Sequence, residues 1–288
     1  MYRSLTPIFT GSFAASRRAL DYTWHANYTA ERQAVQDAII KDMLAGGRVS
    51  KRPWLAHTAG AMGAGKSHVI RALARAGAFP LAAFVTIDPD RVKDALPEAP
   101  ALVAADPARA GSLLHKESVF ICEVAEHEAL AASKCVLVDG SLRDAAWFST
   151  KFKTLKKERP EYRTAIIHVT ASREAVYARA AARARMTGRT VPRDVIDAAL
   201  DRVPLSVQQL KPLVDYVVHI TNDNDEEGGG GESPSAASFT FEAPETLASF
   251  RSVWEDVWKE LEANGGGSGG SKGDYAPGGA GAGASPRL

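Results

Sequence analysis

The chain has 288 residues, of which 45% are hydrophobic and 24% are charged, and its formal net charge is +1. This composition can bury one good core, and one main domain is the default. The balanced charge gives no reason to expect nucleic acid or an anionic membrane as the main partner. No apolar run approaches the ~20 residues of a spanning helix. Cys122 and Cys135 lie in apolar stretches and should be reduced and buried. We expect a cytoplasmic protein, with organelle import by the acid-poor residues 1–18 as the alternative.

The first predicted element is an amphipathic helix within an N-terminal segment, residues 1–50. Apolar residues recur there at steps of three and four, at Ala34, Val35, Ala38, Ile39 and Met43. Gly46 and Gly47 then end the pattern.

Strands and helices alternate between residues 51 and 222. Short apolar runs predict strands at Trp54–Thr58, Phe84–Ile87, Cys135–Val138, Thr164–Val169 and Tyr216–Ile220. Helical patterns lie between them, at about 66–76, 110–132, 144–158, 172–186 and 193–202. This alternation predicts a three-layer α/β fold with a mostly parallel central sheet flanked by helices.

The last part of the chain changes character after Asn222. Residues 223–236 are acidic and glycine-rich and predict a flexible linker. Residues 237–263 are expected to form a strand and a helix that docks on the domain, because one face of the helix is strongly apolar. That face consists of Leu247, Phe250, Val253, Trp254, Val257, Trp258 and Leu261. Residues 264–288 have no apolar periodicity and predict a disordered tail.

A glycine-rich loop follows the first predicted strand. It reads Gly60, Ala61, Met62, Gly63, Ala64, Gly65, Lys66 and Ser67, and it matches the phosphate-binding loop of P-loop NTPases. Glycines let backbone N–H groups surround phosphate oxygens, Lys66 supplies a positive charge, and the Ser67 hydroxyl can bind Mg²⁺. The alternative is an ordinary glycine-rich turn with an idle lysine. ATP and GTP are both open, although Thr221 to Asn224 lack the lysine of the guanine signature.

Acidic residues follow two other predicted strands. Asp88 and Asp90 come after the second strand, where open α/β sheets bind ligands, and either could take the proton of an acceptor hydroxyl. Alternatively, either acid could only cap the following helix. Asp139 follows the third strand and is a candidate magnesium ligand, with an ordinary turn aspartate as the alternative.

An arginine-rich segment between Arg173 and Arg193 resembles a mobile lid. Its inner arginines are Arg179, Arg183, Arg185 and Arg189. Arginines on such a segment can close over a triphosphate and stabilise charge on the transferred group. The alternative is a solvated basic helix face.

Taken together, the motifs between about Trp54 and Asn222 resemble those of the zeta toxin family of P-loop kinases. Besides the loop they are Ile87–Lys93, His115–Ser118, Glu123, Val138–Asp144 and Thr187–Pro192. The resemblance implies use of ATP and Mg²⁺ to phosphorylate a hydroxyl of a small molecule. In bacterial members that acceptor is UDP-N-acetylglucosamine, which is therefore the leading candidate.

The resemblance also implies roles for single residues. Lys66 and Ser67 would bind phosphate and magnesium, and Asp90 would be the general base. Arg189 and Arg179 would grip the phosphates. Asp88, Glu123, Asp139 and Ser141 would contact the acceptor, with Asp139 also near the metal. Because Asp139 and Ser141 stand where the bacterial toxin has Glu and Thr, the acceptor could be another sugar, a nucleoside or a nucleic-acid end. A nucleotide-binding regulatory module without turnover is the other alternative, and the sequence identifies no neutralising protein partner.

Overall fold

The strands form one six-stranded sheet in the computed structural model, which describes residues 2–187, 190–223 and 239–263. In chain order they are β1 (Trp54–Ala59), β2 (Phe84–Ile87), β3 (Cys135–Val138), β4 (Arg163–Thr170), β5 (Tyr216–Thr221) and β6 (Thr240–Phe241). The spatial order is β2-β3-β1-β4-β5-β6. The first five are mutually parallel, and β6 pairs antiparallel with β5. The predicted strands and the mostly parallel sheet are confirmed.

Helices surround this sheet. In chain order they are α1 (Ala14–Arg18), α2 (Ala30–Ala45), α3 (Lys66–Arg75), α4 (Pro89–Ala95), α5 (Ala99–Ala105), α6 (Pro107–Ala131), α7 (Ala145–Glu158), α8 (Arg173–Thr187), α9 (Arg193–Leu210), α10 (Leu247–Val253) and α11 (Glu255–Ala263). The sequence patterns did not predict α1 and α5, and α9 continues eight residues beyond its predicted end. Within the described ranges, no helix is both long enough and apolar enough to cross a membrane.

The core lies on both faces of the sheet. Trp54 and Ala56 of β1 pack with α3, α8 and the C-terminal helices on one face. Leu55, on the opposite face, packs with residues of α2 and α4 to α6. Every residue of β1 is buried, because a parallel strand in the middle of a covered sheet meets helices on both sides. Cys122 and Cys135 are buried free thiols, as expected.

Helix α2 differs from its prediction. Ala34 and Ala38, on the predicted apolar face, are exposed, while Arg32, Gln36 and Asp37 are buried. Hydrogen bonds explain why a polar face is tolerated inside. The Arg32 guanidinium donates to carboxylates on the neighbouring helices, and the Gln36 amide donates to one of the same carboxylates at 2.8 Å. Alanines carry little apolar surface, so satisfied polar contacts decide the orientation.

The C-terminal apolar stretch forms two short helices where one was predicted. Helix α10 ends at Val253 and α11 begins at Glu255, so Trp254 lies between them. The Trp254 side chain is fully buried, with ring centroids at 4.9 Å from Trp54, 5.0 Å from Phe79 and 5.8 Å from Phe84. The indole therefore joins the C-terminal helices to the centre of the core on that face of the sheet.

Replacing Trp254 by alanine should lower the free energy of unfolding by about 3–5 kcal/mol, because it removes a large buried ring and leaves a cavity. Leu247→Ala, at the exposed start of α10, is the matched control and should cost less than about 1 kcal/mol. Urea denaturation followed by circular dichroism measures both. Equal losses in the two variants would show that the C-terminal helices do not dock through Trp254.

Candidate active site

The loop between β1 and α3 needs its glycines. Gly63 and Gly65 have φ angles of +94° and +87°, which side chains with a Cβ rarely adopt. A Cβ on Gly63 would lie 2.6 Å from the carbonyl oxygen of Val176, and one on Gly65 would lie 2.2 Å from the Asn222 amide nitrogen. The loop is thus packed closely between α8 and the end of β5, and its turn opens the N-terminus of α3.

Lys66 folds back onto this loop. Its ammonium group donates to the carbonyl oxygens of Gly60 at 3.0 Å and Ala61 at 3.2 Å. Burial lowers the pKa of Lys66, although the carboxylates of Asp139, Asp90 and Asp88 oppose this effect. An amine held this way can exchange weak carbonyl contacts for the stronger charge of a phosphate.

Asp139 joins the loop to two strands. One carboxylate oxygen accepts from the Ser67 hydroxyl at 2.7 Å, and the other accepts from the Thr58 hydroxyl at 2.7 Å. The described residues contain no group of three or more His, Cys, Asp and Glu side chains that could hold a metal by themselves. Mg²⁺ usually takes only one or two protein oxygens and completes its shell with water and substrate phosphates. The hydroxyl and carboxylate pair of Ser67 and Asp139 fits that pattern.

Asp88 is the helix-capping acid. Its carboxylate accepts the backbone N–H groups of Asp90, at 2.8 Å, and Arg91, at the start of α4. Burial, together with the negative charges of Asp139 and Asp90, raises the pKa of Asp88 to about 6. The capping alternative is therefore realised at Asp88, at a carboxyl group that its surroundings make reluctant to ionise.

Asp90 lies in the first turn of α4 and makes ion pairs. Its carboxylate contacts the Lys93 ammonium at 3.0 Å and the Arg183 guanidinium of α8 at 2.8 Å. Burial opposes ionisation, but the two cations outweigh it and lower the pKa of Asp90 to about 2. The positive charge of Arg183 also helps to lower the pKa of Lys66, so this arginine of α8 acts on both the acid and the phosphate-binding loop.

Arg179 lies beside the loop. Its guanidinium donates to the backbone carbonyl of Asn222 at 2.9 Å, and the Asn222 amide donates to the carbonyl of Ala64 at 3.0 Å. The structure thus brings Arg179 to the same edge of the sheet as Lys66. Arg189, the other predicted phosphate-gripping arginine, lies outside the described residues.

Ser141 contacts the phosphate-binding loop, whereas Glu123 contacts the N-terminal segment. The carbonyl oxygen of Ser141 accepts the Gly60 N–H at 3.3 Å, so the segment after β3 supports the start of the loop. Glu123, on α6, has a carboxylate oxygen 2.9 Å from the Nε2 atom of His25. That histidine belongs to the N-terminal segment.

The sequence interpretation missed three residues that contact the predicted site residues. Thr58 was assigned only as a strand residue, Asn222 was considered only for a guanine motif, and His25 gave no signal. The position of Asn222 directly after the last parallel strand could have pointed to it, because strand ends meet at the ligand edge. Nothing local marks His25, because its partner Glu123 is 98 residues away.

The loop between β1 and α3, together with the acids at the ends of the parallel strands, defines a nucleotide-binding P-loop fold. The family model for zeta toxin matches residues 38–227. The chain belongs to the zeta toxin family.

Solved structures agree on the fold. A chain from the PezAT chromosomal toxin–antitoxin system of Streptococcus pneumoniae is 17% identical, with a TM-score of 0.55 over 82% of this chain and 98% of that chain. The AvrRxo1-ORF1:-ORF2 structure with ATP contains a chain that is 16% identical, with a TM-score of 0.54 over 84% of this chain and 77% of that chain. At these identities the likeness supports the fold alone. No curated protein sequence matches the chain.

Asp88→Asn should stabilise the protein at neutral pH. A carboxyl group whose pKa is raised on folding loses stability as the pH rises from about 4 to 6, and the full cost remains above that range. Asparagine keeps the capping oxygen but has no charge. We expect a gain of about 1–3 kcal/mol at pH 7.5 that shrinks toward pH 4.5, measured by urea denaturation. Asp88→Ala is the control, because it also loses the cap. A gain that does not depend on pH would contradict this account.

Proposed function

We propose that this protein is an ATP-dependent phosphotransferase that moves the γ-phosphate of Mg-ATP to a hydroxyl of a small molecule, with UDP-N-acetylglucosamine as the leading acceptor. The observation that carries the proposal is the convergence of Lys66, Ser67, Asp139 and Asp90 at one edge of the sheet. One group there can bind phosphate, two can hold magnesium and one can accept a proton. Membership of the zeta toxin family supports the same reaction.

Each residue has a part in this reaction. Loop N–H groups and Lys66 would hold the phosphates, and Arg179 and Arg189 would offset charge on the transferred group. Ser67 and Asp139 would hold Mg²⁺, which supplies further charge neutralisation when it is bound. The acceptor oxygen forms a bond to phosphorus as the bond to ADP breaks, and the hydroxyl proton passes to Asp90.

The low pKa of Asp90 is compatible with its proposed role as the base. In a loose transition state for phosphoryl transfer the acceptor hydroxyl needs orientation more than early deprotonation. A carboxylate that stays ionised can accept the hydroxyl hydrogen bond at any physiological pH. Its pairing with Arg183 also means that movement of this arginine toward a phosphate would raise the basicity of Asp90.

The second candidate function is that of a regulatory module that binds a nucleotide and catalyses no transfer. The observation that favours it is the engagement of Asp90 with both Lys93 and Arg183. Such a module would bind ATP and form no phosphorylated product with any acceptor. A kinase for another sugar, a nucleoside or a nucleic-acid end would instead form product with a different compound.

Purified protein with Mg-ATP and UDP-N-acetylglucosamine should form a phosphorylated sugar nucleotide, detected by mass spectrometry. Asp90→Asn should lower kcat by about 10²–10⁴ with ATP affinity nearly unchanged, because only proton acceptance and orientation are lost. Lys66→Ala should weaken ATP binding and turnover together. Asp42→Asn, at an exposed acid on α2, is the matched control and should leave both unchanged.

The outcomes separate the alternatives. Full activity in Asp90→Asn would remove the assignment of the base. ATP binding without product on UDP-N-acetylglucosamine, but with product on another acceptor, would keep the kinase and change its substrate. ATP binding without product on any sugar, nucleoside or nucleic-acid end would favour the module without turnover.

A further inference from the structure

Residues 2–37, the part of the N-terminal segment that precedes the zeta toxin match, pack along α6 of the kinase domain. The contacts are both polar and aromatic. The Ser16 hydroxyl bonds to the Glu128 carboxylate, and Arg32 donates to Glu117 at 2.5 Å. The segment is therefore fixed to α6 at several positions along the helix.

His25 is the member of this segment that contacts Glu123. Its side chain is 1% exposed, and its Nε2 atom lies 2.9 Å from a Glu123 carboxylate oxygen. Its ring packs at 4.6 Å from Trp24 and 5.2 Å from Phe120. Because an ionised carboxylate only accepts, Nε2 must carry the proton. The Nδ1 atom is buried and has no hydrogen-bond partner among the described residues.

The buried imidazole of His25 makes its side-chain hydrogen bond to the Glu123 carboxylate. Leaving Nδ1 unsatisfied costs free energy, and such groups in folded proteins call for an explanation. A packing role alone does not account for the choice, since an aromatic hydrocarbon ring would fill the same space between Trp24 and Phe120. The hydrogen bond to Glu123 is what the imidazole adds.

The Glu123 carboxylate can be held by His25 and still remain partly accessible. Its side chain is 26% exposed, and within the described ranges its second carboxylate oxygen has no hydrogen bond. The neighbouring Cys122 belongs to the same buried cluster as Ile87 of β2 and Val92 of α4, the two elements on either side of Asp88. Glu123 thus lies on the part of α6 that packs against β2 and α4, with one carboxylate oxygen held by His25 and the side chain partly exposed.

We infer that His25 is a positioning residue that holds the Glu123 carboxylate in place for a hydroxyl of the acceptor, so that the N-terminal segment forms part of the acceptor site. This inference rests on the proposed function and on the acceptor contact that the zeta toxin resemblance implies for Glu123. It extends the site beyond the family match, to a residue that acts through Glu123 and need not touch the acceptor itself.

The test compares two replacements of His25. His25→Phe keeps an aromatic ring but removes the donor, and His25→Gln carries an amide donor at a similar reach. With UDP-N-acetylglucosamine as the probe, His25→Phe should raise the acceptor KM about tenfold and change the ATP KM less than twofold, because a hydrogen bond to a charged group is lost. His25→Gln should restore most of the acceptor KM.

Ser16→Ala is the matched control, since it removes another buried contact between the N-terminal segment and an acid of α6. It should leave both KM values unchanged. If His25→Phe and Ser16→Ala alter the kinetics alike, or if His25→Phe raises both KM values together, the role of His25 is structural and the inference is overturned.

A measurement without turnover separates this inference from the proposed function. The imidazole ¹⁵N spectrum of His25 should show the Nε2–H tautomer in the wild type and should change in Glu123→Ala. If the spectrum does not respond to Glu123→Ala, the contact is absent in solution and the inference is overturned. If the wild type transfers no phosphate to UDP-N-acetylglucosamine, the proposed acceptor fails, and a responsive spectrum still supports the fixed carboxylate.

Discussion

The carboxylate of Asp139 bonds to the hydroxyls of Ser67 and Thr58, and the geometry of the site depends on this contact. Thr58 belongs to β1, Ser67 opens α3, and Asp139 follows β3. Parallel pairing of β1 with β3 brings these chain segments to one edge. The two short hydrogen bonds then fix the acid against the start of α3, and a helix N-terminus of this kind is suited to bind a phosphate. Lys66 and the loop take their positions relative to this junction.

Three carboxylates lie close together in the site, and their mutual repulsion lowers the stability of the fold. Asp88, Asp90 and Asp139 lie close enough to influence one another and Lys66. Lys93 and Arg183 lower the pKa of Asp90, whereas burial and the neighbouring carboxylates raise the pKa of Asp88. A fold selected for stability alone would separate like charges. Their retention at a strand edge is typical of sites where the ligand brings the missing opposite charge.

Much of the fold was predictable from the sequence, because its signals are local. Apolar runs located the parallel strands, and the Gly60 to Ser67 pattern located the loop, since both depend on neighbouring residues. The orientation of α2 was not predictable, because Arg32 and Gln36 are buried by partners far along the chain. The break at Trp254 depends on how the helices dock. The same reason applies within the site, where Asp88, Asp90 and Asp139 were found as strand-end acids but the contact of His25 with Glu123 was not.

A structure of the protein with Mg²⁺ and a non-hydrolysable ATP analogue tests the central claim most directly. The account predicts that the Lys66 ammonium leaves the carbonyl oxygens of Gly60 and Ala61 and binds phosphate oxygens, while Mg²⁺ contacts Ser67, directly or through water to Asp139. An analogue bound elsewhere, with Lys66 still on its own loop, would contradict the assignment of this edge of the sheet as the phosphotransfer site.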